Sequence, residues 1–352
     1  MNMYLDEMKK KVQELKKKDC VTILGIESSC DETSIAVVRN GREVLSNVIS
    51  SQIDIHTRFG GVVPEVASRN HVMAINGVLE EAFSKAGVTL KDIDAIAVTY
   101  GAGLIGALMV GVSFAKTLAF SLNIPLIAVN HIRGHMCANY ITHKDLTPPF
   151  IGLIVSGGHT AICKVESYTK FSVIGSTLDD AIGECYDKVA RVIGLGYPGG
   201  PKVDKLAVEG KYNIKFVKDN LKKSYDSSFS GLKTAVINYV HSLNQKGQPL
   251  PMEDICASFQ SEAVLPLVDK TVRACKDFGF DKICVAGGVS ANKFLRNALT
   301  SEGERQGIKV YFPEFVLCTD NAAMIASQGY FNMLENIGIS DTDLGATSSI
   351  PL

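Results

Sequence analysis

The feature that most constrains the fold is that short, wholly apolar runs broken by small polar turns occur in two rounds. From Val21 the chain reads VTILGIE, the turn SSCDE, then TSIAVV, and after Asn40-Gly41 a third run around EVLSNVIS. Runs of this length bounded by turn residues predict three strands in hairpins. The pattern restarts at Phe150, where FIGLIVSGGHTAICKVE again sets two apolar runs around a glycine-containing turn and FSVIGST follows. This is a weak internal echo of residues 21–50.

After the first meander the periodicity predicts a helix over 65–86, the strand DAIAVT, a glycine-rich turn with a helix over 101–122, the strand LIAV and a short helix carrying His131 and His135. The second half turns mainly helical, over 178–193, 200–208, 231–242 and 255–278. It closes with the strand KICVAGG, a helix from Ser290, the short strand KVYF and a helix from Thr319. Two such halves predict an α/β protein of two related lobes across a central cleft, with ligands held by loops off the strand ends. The bounds read as an N-terminal extension over 1–20, a first lobe over 21–148, and a second lobe over 149–352 with a helical insertion. The last helix is a candidate to pack back on the first lobe. A length of 352 residues, 46% hydrophobic, suits two cores, since single cores rarely grow past about 250–300 residues.

Lys+Arg 36 against Asp+Glu 37 leaves no overall field toward nucleic acid or an anionic membrane, so RNA contact would need a local patch. The Lys-bearing stretch from Lys202 to Lys233 is interrupted by Asp204, Glu209, Asp219 and Asp226 and reads as a solvated face. No apolar run approaches the roughly 20 residues that span a bilayer, and the Lys-rich start MNMYLDEMKKKVQELKKK lacks a signal-peptide core. A cytoplasmic protein without a membrane partner is expected, its first 18 residues a frayed, appended helix. Nine Cys without a CxxC pair fit neither a disulfide framework nor a Cys-cluster zinc site; they should be reduced and mostly buried.

His131 and His135 stand at i and i+4, on one helix face directly after an apolar strand, which is chelating geometry as well as an ordinary polar face. Ile132 follows His131 where a metalloprotease would carry its Glu, so a protease reading lacks its general base. Two His leave a metal under-coordinated, and Asp320 in LCTDNAAMIA is the best candidate carboxylate, although the same position suits a helix N-cap. The turns IVSGGH (154–159) and VAGGVSAN (285–292) each follow a buried strand and read as anion or nucleotide cradles, or as tight hairpin turns. Asp187 lies in an apolar helical stretch and alone reads as a surface residue, whereas GLGYPGGPKVD can approach a ligand closely. Glu27, Asp31 and Glu32 crowd one turn, either an exposed tip or a site facing a metal or reacting group.

Taken together, GIESSCDETS, GGVVPEVASRNHV, HIRGHMCANY, LIVSGGHT, GECYDKVARVIGLGYPGGP, AGGVSAN and CTDNAAMIA closely resemble, from about Val21 to Gly338, the TsaD family of tRNA N6-adenosine threonylcarbamoyltransferases. The resemblance implies the two-lobed actin/hexokinase/heat-shock-ATPase (ASKHA) fold. It implies transfer of the threonylcarbamoyl group of L-threonylcarbamoyl-adenylate to N6 of the adenosine just 3′ of the anticodon, in tRNAs reading codons that begin with A, with release of AMP. Carried over by motif, His131, His135 and Asp320 look like metal ligands for iron(II), Fe2+, with Zn2+ also compatible with N and O donors. Ile154, Val155, Ser156, Gly157, Gly158, Asp187, Gly200, Asp204 and Asn292 look like adenylate contacts: the first loop near phosphate, the acids near ribose, Asn292 near the base.

Asp31 and Glu32 are the candidate acceptors of the N6 proton. The implied partners are tRNA, a TsaB-like paralogue and a TsaE-like ATPase. Among the alternatives, a small-molecule kinase of this fold would not need HxxxH. An O-carbamoyltransferase acting through a carbamoyl-adenylate generally carries further domains. A nucleotide-binding scaffold would use the metal as a structural clasp.

Overall fold

Why the apolar runs come in two rounds is explained by the sheets. The computed structural model describes residues 3–217 and 221–350, and the chain divides into unit 1 (Met1–Pro148, Ser167–Lys170, Pro313–Leu352) and unit 2 (Pro149–Glu166, Phe171–Phe312). Unit 1 opens with α1 (Met3–Leu15) and the meander β1 (Thr22–Glu27), β2 (Glu32–Arg39) and β3 (Glu43–Ser51). It continues through α2 (Ile53–Thr57), α3 (Pro64–Ala86), β4 (Ala95–Gly101), α4 (Ile105–Leu122), β5 (Leu126–Asn130) and α5 (His131–Thr142). Unit 2 holds a second meander, β6 (Phe150–Val155), β7 (Thr160–Val165) and β8 (Phe171–Ser176), followed by α6 (Ile182–Val192), α7 (Gly200–Ala207), α8 (Ser230–Gln245) and α9 (Met252–Asp277). It ends with β9 (Lys282–Ala286), α10 (Lys293–Gln306) and β10 (Lys309–Tyr311); α11 (Ala322–Leu334) and β11 (Ile339–Ser340) then return to unit 1.

The unit-1 sheet runs β11-β5-β4-β1-β2-β3 and the unit-2 sheet β10-β9-β6-β7-β8. Each meander is antiparallel, and each then adds two parallel strands beside its first strand. The same five-strand order therefore occurs twice. In unit 1 the strand period of two sends Leu24, Ile26, Ile35 and Val37 into one core with Val78 of α3 and Val112 of α4. The intervening Ile23, Ala36 and Val38 enter a second core with α11. A central strand covered on both faces reads as a continuous apolar run, which is why TILGIE is buried throughout. In unit 2, Ile151, Leu153 and Val155 share one core with Val189 of α6 and Phe259 and Val264 of α9.

Four expectations need correction. The N-terminal segment is not a frayed tail: Met8 and Val12 of α1 are fully buried, Val12 in the core that contains Val21 and Ile23. Its Lys residues face outward and mask an apolar stripe at i, i+4. The second unit closes at Phe312 and not at the C-terminus; α11 lies in the core of unit 1, the place for which the last helix was a candidate.

The helix expected from Leu178 begins at Ile182 because residues 178–181 do other work. Asp179 Oδ1 accepts from the N–H groups of Phe229 (2.7 Å) and Ser230 (3.1 Å) at the start of α8. Finally, α4 is long and apolar enough to cross a membrane by length and composition alone. Its Leu108, Gly111, Val112, Ala115 and Ala119 stripe is buried, and α4 packs on α3 and β4 as a core helix does. The nine thiols are all free, seven of them buried. Of the acids that interrupt the basic stretch, Asp219 lies outside the described residues.

Helix α11 lies close against the sheet at two glycine notches. A Cβ on Gly25 of β1 would stand 2.2 Å from the Ala322 carbonyl oxygen, and one on Gly329 would stand 2.4 Å from the Ala97 methyl. Backbone cannot yield as a side chain tip can, so overpacking here forces the helix outward, at a cost of about 1–3 kcal/mol. Gly25→Ala is expected to lower the thermal unfolding temperature measurably; an unchanged melting curve would show that α11 does not depend on this contact.

Candidate metal centre and nucleotide-binding turns

Three parallel neighbours, β1, β4 and β5, end on one edge of the unit-1 sheet, with Ile26 opposite Val98 and Thr99 opposite Val129. That register brings the last side chain of β1, Glu27, beside Thr99 and beside the turn into α5. Asn130 makes that turn sharp: its Oδ1 accepts from the N–H of Ile132 (2.9 Å) and of Arg133, so His131 is the first residue of the helix. Asn321 does the same for α11, accepting from Met324 N–H at 3.1 Å. The cap is therefore Asn321, and the carboxylate of Asp320 is left to turn toward the histidines.

Asp320 Oδ1 lies 3.5 Å from His131 Nε2 and 3.3 Å from His135 Nε2, and the ligand atoms of the three residues fall within 4.8 Å of one another. The two imidazoles meet edge to face with centroids 4.6 Å apart. Neither is on an exposed face: His131 is 8% exposed and His135 1%. Both ring nitrogens of His135 are buried without a partner of hydrogen-bond geometry, an arrangement that costs about 1–3 kcal/mol per orphaned group unless a ligand claims one. Two imidazole nitrogens and a carboxylate oxygen suit Zn2+ or Fe2+, so the residues present fit a metal ion.

His131 is held from behind. Its Nδ1 lies 3.0 Å from Glu27 Oε2 and 3.1 Å from Ser29 Oγ. Glu27, fully buried, also accepts from Thr99 Oγ1 at 2.6 Å and from the Ser29 N–H at 2.5 Å. A carboxylate only accepts, which assigns the proton to Nδ1 and leaves Nε2 toward Asp320.

Burial works against a charged His131, but Glu27 and then Asp320 outweigh it and hold its pKa well above the ordinary range. Burial likewise opposes ionisation of Asp320 and Glu27, and His131 in each case overcomes it and holds the carboxyl low. Two carboxylates converging on one imidazole make this a site for positive charge, whether a proton or a divalent cation.

Asp31 is buried in the β1–β2 turn, and Glu32 begins β2, accepting from Ser51 Oγ at 3.1 Å. Burial, then the charges of Asp320 and Asp31, push the Glu32 carboxyl up to about 9. The acidic turn thus feels Asp320 and is no exposed hairpin tip. Glu27 has no role assigned by the sequence pattern; the one signal for it is a charged residue closing an otherwise uncharged, fully buried strand.

In unit 2 the two glycine turns follow adjacent parallel strands, with Ile154 opposite Ala286. They touch: a Cβ on Gly287 would stand 2.5 Å from Val155 O, and Gly287 has φ +93°, where a side chain is strained. Ile154 pairs on both sides and, with Val155, is fully buried, so the accessible part of this loop is Ser156, Gly157 and Gly158. Gly157 and Gly158 face open space.

Asp187 is not a free surface acid, since its Oδ1 accepts from Gly199 N–H (2.7 Å) and shapes the turn into α7 at Gly200. Burial raises its carboxyl against the pull of those amides. Asn292 caps α10 through Leu295 N–H (2.8 Å) and donates to Asp204 Oδ1 (3.0 Å) and Gln260 Oε1 (2.8 Å). Its amide is thus occupied within the unit, and its direct work is to tie α7, α9 and α10 together. Gln260 was not singled out from sequence.

Comparison with known proteins places these features in context. Residues 43–327 match the family described as TsaD: tRNA N6-adenosine threonylcarbamoyltransferase. A protein of that name from Clostridium perfringens is 60% identical over 332 residues, covering 94% of this chain and 98% of its own. Others from Clostridium novyi and Clostridium botulinum are 56% and 55% identical over 94% and 95% of this chain, with 98% and 99% of their own length covered. In fold the chain is similar to HypF of T. kodakarensis (TM-score 0.61, 13% identity, 90% of this chain and 47% of that one). It is also similar to component A of the (R)-2-hydroxyglutaryl-CoA dehydratase of Acidaminococcus fermentans (TM-score 0.53, 14% identity, 89% and 99%). The repeated meander with two added parallel strands is thus an actin/hexokinase-like α/β fold. By sequence over most of its length, the chain belongs to the TsaD family of tRNA N6-adenosine threonylcarbamoyltransferases.

Proposed function

We propose that this protein transfers the threonylcarbamoyl group of L-threonylcarbamoyl-adenylate to N6 of the adenosine just 3′ of the anticodon in tRNA, with release of AMP. The observation that carries the reading is the convergence of His131, His135 and Asp320, with neither ring nitrogen of His135 in a hydrogen bond, in a chain of this family.

The donor is a reactive mixed anhydride, so its leaving group is already good. What the protein must add is orientation and stabilisation of developing charge. His131, His135 and Asp320 would hold one divalent ion, iron(II) in this proposal, with Zn2+ the competing occupant. Bound there, such an ion supplies Lewis-acid polarisation of an acyl or phosphate oxygen.

The unit-2 turns would bind the adenylate. Gly157 and Gly158 offer main chain to a phosphate with no side-chain obstruction, Ser156 closes the turn by donating its N–H to His159 O (2.8 Å), and the Gly287 turn lies against them. Ile154 and Val155 contribute by fixing where that turn starts. Asp187 orients the Gly199–Gly200 turn and Asn292 fixes Asp204, so these residues would shape the nucleoside site as much as touch it. Of the acidic pair Asp31 and Glu32, Asp31 is proposed to accept the proton released from N6, because the Glu32 carboxyl, pushed up to about 9, already holds its own proton at neutral pH.

Work in the cytoplasm beside a TsaB-like paralogue and a TsaE-like ATPase belongs to the same proposal. Val72 and Met73 of α3 with Ile105 and Met109 of α4 are exposed, an apolar surface suited to a partner.

In a transfer assay with unmodified tRNA and the partner proteins, His131→Ala/His135→Ala is expected to lose its metal and at least about 100-fold in rate. A double variant that keeps both metal content and activity refutes the site. Asn292→Ala removes a cap and two further hydrogen bonds, so a loss of about 1–3 kcal/mol in unfolding free energy and weaker adenylate binding are expected together. Wild-type stability and adenylate affinity in that variant would contradict the role given to Asn292.

A further inference from the structure

The two histidines of the metal centre are not equivalent, and the difference lies in what stands behind each ring. His135 has no partner of hydrogen-bond geometry at either nitrogen. His131 has Nδ1 fixed by Glu27 Oε2 at 3.0 Å and Ser29 Oγ at 3.1 Å. Glu27 is itself immobilised from two further directions, by Thr99 Oγ1 at 2.6 Å and the Ser29 N–H at 2.5 Å. All of these groups sit on strand ends or tight turns of one unit, and Glu27, Ser29 and Thr99 are at most 2% exposed.

We infer that Glu27 is a positioning residue of the metal centre: it fixes the tautomer and ring orientation of His131 and supplies the second negative charge the buried ion requires. The inference rests on the metal-centre reading above. A ligating imidazole that donates its far N–H to a carboxylate is both pre-oriented and a stronger donor. Charge points the same way. Two neutral imidazoles and Asp320 leave a divalent ion with net charge +1 in a buried place, where uncompensated charge is expensive; Glu27 brings the sum to zero. Thr99, on the neighbouring strand, then serves to hold Glu27 in that pose.

The experiment measures Zn2+ affinity of the metal-free full chain by competition with a chromophoric chelator, and the visible spectrum of the Co2+ form, for wild type, Glu27→Gln and Thr99→Val. Glu27→Gln keeps shape but loses the charge, and its Zn2+ dissociation constant is expected to rise about 10- to 100-fold with an altered Co2+ spectrum. Thr99→Val keeps the charge and should weaken binding by a smaller factor. It carries the test if Glu27→Gln does not fold. Wild-type affinity and spectrum in Glu27→Gln, or in Thr99→Val where only that variant folds, would overturn the role of Glu27. A wild-type chain that takes up no stoichiometric metal would instead sink the metal-centre reading, and this role with it.

Discussion

Everything proposed for unit 1 depends on how closely α11 approaches the sheet. Gly25 and Gly329 remove the Cβ atoms that would hold the helix off β1 and β4, and a row of alanines on α11 completes the dry interface. Because the helix lies that close, its N-terminal turn reaches the edge where β1, β4 and β5 end, and Asp320 arrives beside a histidine pair from which the whole of unit 2 separates it in sequence. Asn321 takes the capping work, Asn130 takes it for α5, and the two caps free Asp320 and His131 for other chemistry.

Burial then sets the electrostatics. A carboxylate as enclosed as Glu27 persists only where it is hydrogen-bonded and paired, and His131, Thr99 and Ser29 meet that requirement. The mutual support of Glu27, His131 and Asp320 calls for a positive charge at their centre. His135 adds a donor that has no other use. Unit 2 solves a different problem with the same topology: glycines at adjacent strand ends keep side chains away from main-chain amides, and a polar knot of Asp204, Gln260 and Asn292 secures the helices around them.

What could be read from the sequence follows from which signals are local. The i, i+4 spacing of His131 and His135, the two meanders and the glycine turns depend on near neighbours and were legible, the meander echo included. Asp320 was ambiguous because two cap-forming residues, Asp320 and Asn321, stand in succession and only the fold decides which one caps. Glu27 had no role because its meaning comes from Thr99 and His131, which reach it through parallel pairing over long stretches of chain. The strands KICVAGG and KVYF of the second sheet were legible as apolar runs, but their parallel pairing beside β6 was not, because α6 to α9 separate β8 from β9 and the repeat cannot be followed as a period. The buried stripe of α1 was obscured by its Lys residues, and the ties of Asn292 to Asp204 and Gln260 join segments too far apart in sequence to be read from it.

The central claim, that two imidazoles and a carboxylate of unit 1 hold one metal ion, is tested most directly by X-ray absorption spectroscopy of the anaerobically prepared, metal-loaded protein. The account predicts one ion per chain with a first shell of nitrogen and oxygen at about 2.0–2.2 Å and the outer-shell scattering of two imidazole rings. A sulfur shell near 2.3 Å, or a shell of oxygen alone without imidazole scattering, would contradict it.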